Sequence, residues 1–287
     1  MIYLLISICI SSFLFVIFKL FAVLKINTLQ AIIINYLVAS VLGFYSSDIP
    51  VSIQEIPNQS WFLGAFLLGI LFISVFNLMA LTSQKNGLSV VSVSSKMSVV
   101  IPIIFGVWVY NESVGFVKVI GILLALVAVY LTSVKETKEK SKNSSLLFPI
   151  LLFFGSGCID TGLKYVETTY VPEGGVPIFS ATMFACAFVF GLAFLLFQIA
   201  KGKFTFHYKN IIGGILLGIP NYYSIVYLLK ALNAEGLESS TLFTINNVGV
   251  VVLSTIFGLL IFKEKLIKKN WIGVTIAIVS IILVAVF

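Results

Sequence analysis

Ten long apolar runs alternate with short polar breaks along the chain. They cover about 2–23, 28–46, 60–83, 88–110, 114–133, 146–163, 176–199, 210–232, 238–262 and 269–287. Each approaches the roughly 20 residues that an α-helix needs to cross the hydrocarbon core of a bilayer. Pro50, Pro57 and the polar segment 135–145 fall between runs. The pattern predicts an all-α integral membrane protein with ten transmembrane helices.

The two halves of the chain resemble each other at offsets of 149 and then 152 residues. Matching pairs are Gly64 and Gly213, Gly69 and Gly218, Leu88 and Leu237, Glu112 and Glu264, and Gly121 and Gly273. We interpret this as an internal duplication, with a first repeat at 1–133, a polar linker at 134–145 and a second repeat at 146–287. Because five helices are an odd number, the second copy is expected to lie upside down relative to the first. Inverted five-helix repeats are typical of secondary transporters.

Composition and charge narrow the class of protein. The chain is 60% hydrophobic and 10% charged, far from a soluble domain. All 18 basic residues are lysines, and thirteen of them fall on one side of the predicted membrane against three on the other. This bias predicts a cytoplasmic linker and both termini outside. Without arginine, the positive charge indicates membrane orientation and gives no sign of a nucleic-acid partner.

Each half contains an acidic turn after its fourth helix, at 109–112 and 261–264, and a glycine nine residues after the glutamate. In these motifs and in its five-plus-five helices, the chain resembles the EamA-like branch of the drug/metabolite transporter superfamily. The resemblance implies transport of a small molecule without specifying which one. The first helix departs from small multidrug relatives because it lacks the carboxylate that they use for proton coupling.

Lys96 is the most informative polar residue inside a predicted span. It lies eight residues into the fourth helix, about 12 Å deep at 1.5 Å per residue. Helical spacing places it on one stripe with Ser89, Ser92, Ser95 and Val99. It is a candidate for attracting an anionic substrate group. The alternatives are a lysine that extends to the cytoplasmic headgroups or one that is paired structurally.

Amides and phenols inside other spans complete the candidate substrate site, which comprises Lys96, Asn77, Asn221, Tyr222, Asn246 and Asn247. Adjacent asparagines cannot satisfy their hydrogen bonds against lipid, so Asn246 and Asn247 should face the protein interior or water. A hydrogen bond between helices is the alternative role. Pro220 should kink its helix, and Pro102 is a candidate kink or hinge.

The carboxylates receive separate roles. Asp160 lies well inside a span and is a candidate for proton coupling, with an ion pair to Lys164 one turn later as the alternative. Glu112 and Glu264 are interpreted as structural caps of the helices that follow them. Gly121-x-x-x-Ala125 and Gly273-x-x-x-Ala277 should permit close helix approach, within a monomer or between the subunits of a homodimer.

Enzyme function is not supported by these residues. The single histidine, His207, lies in a polar loop, and the sequence has no metal-ligand spacing or phosphate-binding loop. No cofactor or metal is predicted. We predict a secondary transporter in the cell membrane, specifically a bacterial inner membrane, that moves a small polar or zwitterionic metabolite such as an amino acid. A non-transporting membrane receptor or structural subunit is the alternative.

Overall fold

A computed structural model describes residues 2–47, 53–110, 115–133, 146–172, 174–202, 205, 207–232 and 239–286. Over these ranges the protein is all-helical and contains no strand. Its α-helices are α1 (Ile2–Val23), α2 (Thr28–Tyr45), α3 (Phe62–Asn86), α4 (Leu88–Met97), α5 (Val100–Tyr110), α6 (Phe116–Ser133), α7 (Leu147–Tyr170), α8 (Val176–Ala200), α9 (Tyr208–Leu232), α10 (Ser239–Phe262) and α11 (Lys268–Val286). A short 3-10 helix covers Ile53–Asn58.

The helices coincide with the apolar runs, with two differences. Helix α7 continues to Tyr170, past the predicted end at residue 163. The fourth run is divided into α4 and α5. Within the described ranges, eight segments are long and apolar enough to cross a membrane, and one of them, Leu88–Phe105, includes this division.

The chain forms two compact units. Unit 1 contains residues 1–20, 78–157 and 223–287, and unit 2 contains residues 21–77 and 158–222. Each unit takes segments from both halves of the sequence. The units therefore differ from the repeat boundaries at 133 and 146, which remain a prediction about duplication. Helices α1, α3, α7 and α9 each contribute residues to both units.

In unit 1, the α6 and α11 helices form a close antiparallel pair. Near the start of α11, the Asn270 amide donates hydrogen bonds to the Leu131 and Thr132 carbonyls at 3.1 and 2.9 Å. Further along α11, the Ser280 hydroxyl donates to the Gly121 carbonyl at 2.7 Å. The contacts therefore run from the end of α6 to its start as α11 advances.

Small residues permit this approach. A Cβ atom at Gly273 would lie 2.7 Å from the backbone nitrogen of Thr132, so nothing larger than hydrogen fits there. Ala125 and Ala277, the second members of the two small-residue pairs, are buried in the same core. The prediction of close helix approach is confirmed here within one chain.

The α4 and α10 helices of unit 1 also pack together and run antiparallel. Leu88 at the start of α4 lies beside Gly258 near the end of α10, at 3.4 Å from a Cβ atom built on that glycine. Further along, Val93 and Met97 share a buried core with Val251. The middle of α4 therefore faces the middle of α10.

Unit 2 is built on α2 and α8, which are antiparallel and have aromatic rings between them. The Tyr36 ring packs against Phe184 with centroids 5.9 Å apart, and its hydroxyl donates to the Phe72 carbonyl at 2.8 Å. One helical turn further, the Ser40 hydroxyl donates to the Ala181 carbonyl at 3.0 Å. The core is filled, and these hydroxyl groups are satisfied.

An amide cluster joins α2 to the start of α9 in the same unit. The Asn210 side chain accepts a hydrogen bond from the Asn27 backbone N–H at 2.9 Å and donates one to the side-chain Oε1 atom of Gln30 at 2.6 Å. Gln30 in turn donates to the Thr205 carbonyl. Beyond this cluster α2 and α9 run in parallel, since Val38, further along α2, packs against Gly218, further along α9.

Candidate functional site

The division between α4 and α5 lies in the middle of a membrane-spanning segment of unit 1. Pro102 has no N–H to donate to the Ser98 carbonyl, and its ring crowds that carbonyl. The Ser98 carbonyl instead accepts a hydrogen bond from Ile101 at 2.9 Å, which tightens the turn. The candidate kink or hinge at Pro102 lies just after the division between α4 and α5, whereas α9 continues unbroken through Pro220.

Helix α4 has more buried hydroxyl groups than its own backbone satisfies. Ser92 and Ser98 donate to carbonyls three residues earlier in the chain. Ser89 and Ser94 are 2% and 0% exposed, and their hydroxyls have no hydrogen-bond partner among the described residues. A buried polar group without a partner costs about 1–3 kcal/mol, so such groups are expected to meet water or a ligand.

Three other helices of unit 1 also have buried polar atoms that lack a hydrogen-bond partner among the described residues. Ser12 of α1, Ser156 of α7 and the Oδ1 atom of Asn246 in α10 have no hydrogen-bond partner within the described part of the chain. Together with Ser89 and Ser94 they form what we call the open polar set. Four helices of one unit therefore retain unused hydrogen-bonding capacity in their buried faces.

Lys96 lies in the last turn of α4, directly before the break. It is half-buried, as is Ser95, whereas Ser89 and Ser92 of the same predicted stripe are fully buried. A cation in the last turn of a helix is favoured by the helix dipole. The residue is thus positioned at a helix end inside the membrane-spanning segment, next to the open polar set on α4.

The two asparagines of α10 differ in burial. Asn246 is 2% exposed, and Asn247 is half-buried. If both helices rise 1.5 Å per residue from the contact between Leu88 and Gly258, Asn246 lies at the level of residue 100, about 6 Å along the axis from Lys96. The antiparallel packing of α4 and α10 brings these two candidates to neighbouring levels.

The remaining substrate candidates belong to unit 2. The Asn77 amide donates to the Ile73 carbonyl of its own helix at 2.7 Å, which is a local use of the side chain. Asn221 is buried and Tyr222 half-buried, both near the middle of α9. Asp160 is exposed on α7, and so is Lys164 one turn later. The structure describes these residues within their own unit, and their roles in binding or proton coupling remain predictions.

Glu264 acts as a cap, but the position of that cap differs from the expectation. It lies four residues before α11, and its carboxylate accepts the Leu88 N–H of α4 at 3.0 and 3.1 Å through its two oxygens. The same carboxylate pairs with Lys19 of α1 at 2.9 Å. The predicted cap of the following helix is therefore corrected to a cap of α4. Glu112, the other predicted cap, lies outside the described residues.

Glycines make the room that this carboxylate occupies. A Cβ atom at Gly87 or at Gly258 would lie 2.8 or 2.6 Å from a Glu264 oxygen. Gly87 also has φ of 106°, a conformation that disfavours other residues. Among the described residues, no group of three or more His, Cys, Asp or Glu side chains comes together as a metal site.

Several of these polar residues were not singled out in the sequence. Asn35 of α2 is completely buried, and neither its amide nitrogen nor its oxygen has a hydrogen-bond partner within the described ranges. Its position inside the apolar run at 28–46 is a signal of the kind that identified Asn77. Ser12 and Ser156 gave no such signal, because serines are common in membrane helices and usually bond to their own backbone.

Two transporter families match the chain. A model of the EamA-like transporter family matches residues 1–134. A model of the family described as sugar transport protein matches residues 112–287, which is more than half of the chain. The chain belongs to the sugar transport protein family. The EamA-like match confirms the resemblance drawn from the acidic turns, and both matches are consistent with the drug/metabolite transporter superfamily.

Membership in this family, together with the apolar helices, identifies a multi-pass membrane transporter. The chain is also similar to a protein of Haemophilus influenzae that is described as uncharacterized. The two are 28% identical over 261 residues, which covers 88% of this chain and 86% of the other. The similarity thus extends over nearly the whole of both proteins.

Proposed function

We propose that the protein is a secondary active transporter that moves a small polar or zwitterionic metabolite, such as an amino acid, across a bacterial inner membrane by alternating access. The observation that supports this best is the open polar set of unit 1. Its buried hydroxyl and amide groups lie on helices that include a broken one, and irregular backbone inside a membrane is tolerated where it lines a cavity.

The helix pairs support inverted repeats as the structural basis of alternating access. Under the duplication inferred from sequence, α6 corresponds to α11, α4 to α10 and α2 to α8. Each of these three pairs packs together and runs antiparallel, as two copies of opposite orientation would. Ten transmembrane helices in two inverted sets of five account for this arrangement.

The substrate class follows from the charges near the break. Lys96 provides a cation, and α5 begins at Val100 with its positive dipole end inside the same segment. Both favour an anionic group, and we propose a carboxylate. A neutral sugar is the second candidate, because the matched family is described as sugar transport protein and serine and asparagine can bond hydroxyl groups.

A flux assay with purified protein in proteoliposomes tests the function. A panel of radiolabelled amino acids, other carboxylates and sugars should give saturable uptake of at least one carboxylate compound. Lys96→Ala should lower that uptake at least tenfold, whereas Lys269→Ala, which removes an exposed lysine at the start of α11, should leave it within twofold.

The same assay separates the alternatives. Saturable uptake of sugars alone, unaffected by Lys96→Ala, would replace the carboxylate with the sugar candidate. Folded protein that moves no compound would favour a non-transporting receptor or structural subunit.

Asp160 is the proposed coupling residue if transport depends on a proton gradient. Asp160→Asn keeps the size of the side chain and removes its titration. We expect uptake by the variant to lose its dependence on an imposed pH gradient, measured in the same vesicles. Unchanged proton dependence in Asp160→Asn would contradict the coupling role. An ion pair with Lys164, one turn later, would then remain as the alternative.

A further inference from the structure

Helix α4 starts at a glycine with non-helical dihedral angles and ends at a two-residue turn in which Ser98 keeps a right-handed helical conformation. Gly87 precedes it with φ of 106°, and the turn at Ser98 and Val99 follows it. The ten residues between these points include Lys96 and two members of the open polar set. A short helix with a break at each end can change position without unfolding, so the contacts that fix its start also fix the site on it.

The contacts of Glu264 fix that start. Its carboxylate reaches Leu88 from 176 positions away in the chain and Lys19 from 245 positions away. The side chains of Lys19 and Glu264 are 20% and 13% exposed, so the pair is largely shielded from solvent. The Lys19 ammonium also lies 5.8 Å from the centre of the Phe262 ring.

A local cap would have been simpler. A serine, threonine, aspartate or asparagine at position 87 could cap α4 by itself. Here glycine occupies that position, and the cap comes from the turn between α10 and α11, with a partner on α1. Three separate elements therefore meet at one carboxylate, and any change in the position of α4 must break the Leu88 N–H bond to Glu264 or carry that carboxylate with it.

We propose that Glu264 is a positioning residue for transport and that Lys19, Glu264 and the Leu88 N–H form a clamp on α4 that opens and closes during the cycle. This inference rests on the proposed function, because it assigns the clamp to the half-helix that presents Lys96. With the clamp closed, α4 keeps its serines buried. When it opens, α4 moves about its two breaks and exposes them.

Cysteine accessibility tests the clamp without any substrate. In a background with Cys9, Cys158 and Cys186 replaced by serine, a single cysteine at Ser94 reports on α4, since that position is 0% exposed. Glu264→Gln keeps an oxygen for Leu88 but loses the pair with Lys19. We expect alkylation of this cysteine by N-ethylmaleimide to accelerate about tenfold, within the usual range of coupling between sites.

Matched controls separate clamp opening from general loosening. A cysteine at Ser280 on α11, which is 1% exposed, should react at the same slow rate in Glu264→Gln and in the parent. Glu167→Gln removes the charge of an exposed carboxylate on α7 and should leave both rates unchanged. Acceleration at both cysteines would indicate a loosened fold and would overturn the clamp.

A double-variant comparison shows whether the two charges act together. Lys19→Met should accelerate alkylation at position 94 about as much as Glu264→Gln, and the combined variant should add nothing further. Lys19→Arg should restore the slow rate. Rates that multiply in the combined variant, or an unchanged rate at position 94 in folded Glu264→Gln, would overturn the proposal. Lys19→Met provides the same test if Glu264→Gln does not fold.

Transport kinetics then connect the clamp to function. We expect Glu264→Gln to lower the maximal rate of uptake at least tenfold and to change KM by less than threefold, since Glu264 holds α4 from its far end. A change in KM alone would overturn a role in the cycle. If accelerated alkylation is seen but no compound is transported, the proposed function fails while the clamp on α4 stands.

Discussion

Unit 1 and unit 2 differ in how they bury polar groups. In unit 2, Tyr36, Ser40 and Thr182 donate their hydroxyl hydrogens to backbone carbonyls at 2.8–3.0 Å, inside a core rich in aromatic rings. The core of unit 1 around α4, α6, α10 and α11 is mostly valine, alanine and isoleucine. The open polar set of this unit has hydroxyl and amide atoms without hydrogen-bond partners in the described part of the chain. Asn35 and the hydroxyl of the half-buried Ser47 depart from this pattern in unit 2, since neither has a hydrogen-bond partner among the described residues.

Under the proposed function, this contrast distinguishes a scaffold from a binding region. Satisfied hydroxyls and packed rings give one stable arrangement, because every change breaks a contact. Unsatisfied buried groups lower stability and are retained where they meet water or substrate. We therefore expect substitutions of the bonded hydroxyl groups and packed rings of unit 2 to act mainly on stability, and substitutions in the open polar set to act mainly on transport.

The largest expected effect is on the stability of unit 2. Tyr36→Ala should lower the free energy of unfolding by about 3–5 kcal/mol, because it removes a buried ring packed against Phe184. Tyr36→Phe keeps the ring and should cost about 1 kcal/mol for the lost hydrogen bond to Phe72. Unfolding in increasing concentrations of SDS measures both. Equal losses for the two variants would contradict the assignment of stability to ring packing.

The next largest effects are expected from substitution of the two prolines inside membrane-spanning helices. Pro102→Ala restores an N–H donor for the Ser98 carbonyl and should favour a continuous helix by up to about 3 kcal/mol. We expect stability to rise and uptake to fall at least tenfold, because the break beside Lys96 is lost. Pro220→Ala lies in the continuous α9 and should change uptake by less than threefold. Uptake by Pro102→Ala at the rate of the parent protein would show that transport does not need the break between α4 and α5.

Two buried serines provide the smallest and most closely matched test. Ser40→Ala should destabilise the protein by about 1 kcal/mol, because its hydroxyl is bonded to Ala181, and should leave uptake unchanged. Ser94→Ala removes a hydroxyl that has no partner within the described ranges, so the stability of the variant should be unchanged or higher, and its uptake should fall. SDS unfolding and flux on both variants decide this. Lowered uptake in Ser40→Ala together with unchanged uptake in Ser94→Ala would contradict the distinction between the units.

The sequence predicted the helices well because the physical signal is strong. A run of about 20 apolar residues has few alternatives to a membrane helix, so the bounds agree to within a few residues except in α7. Pro102 marked the break for an equally direct reason, the missing N–H. Pro220 gave the same signal, and α9 nevertheless continues through it, because a single missing bond can be tolerated where neighbouring helices support the backbone.

Long-range partners could not be predicted from local patterns. Glu264 caps a helix, as the helix dipole predicts, but the helix is not the adjacent one. The carboxylate accepts the Leu88 N–H from 176 positions away in the chain. Similarly, Ser92 and Ser94 look alike in sequence. Only the packing determines that the Ser92 hydroxyl bonds to its own helix while the Ser94 hydroxyl has no partner among the described residues. The open polar set is therefore a property of the fold.

The broken helix also has a consequence for biogenesis. At 1.5 Å per residue, α4 and α5 are about 15 and 16 Å long, so neither can cross a hydrocarbon core of about 30 Å. The membrane-insertion machinery must accept both as one segment, including Lys96, whose charge costs about 2.5–3.5 kcal/mol at the centre of an inserting helix. The apolar residues of α5 offset this cost. Shortening or polarising α5 should therefore cause failure at synthesis, before any substrate is encountered.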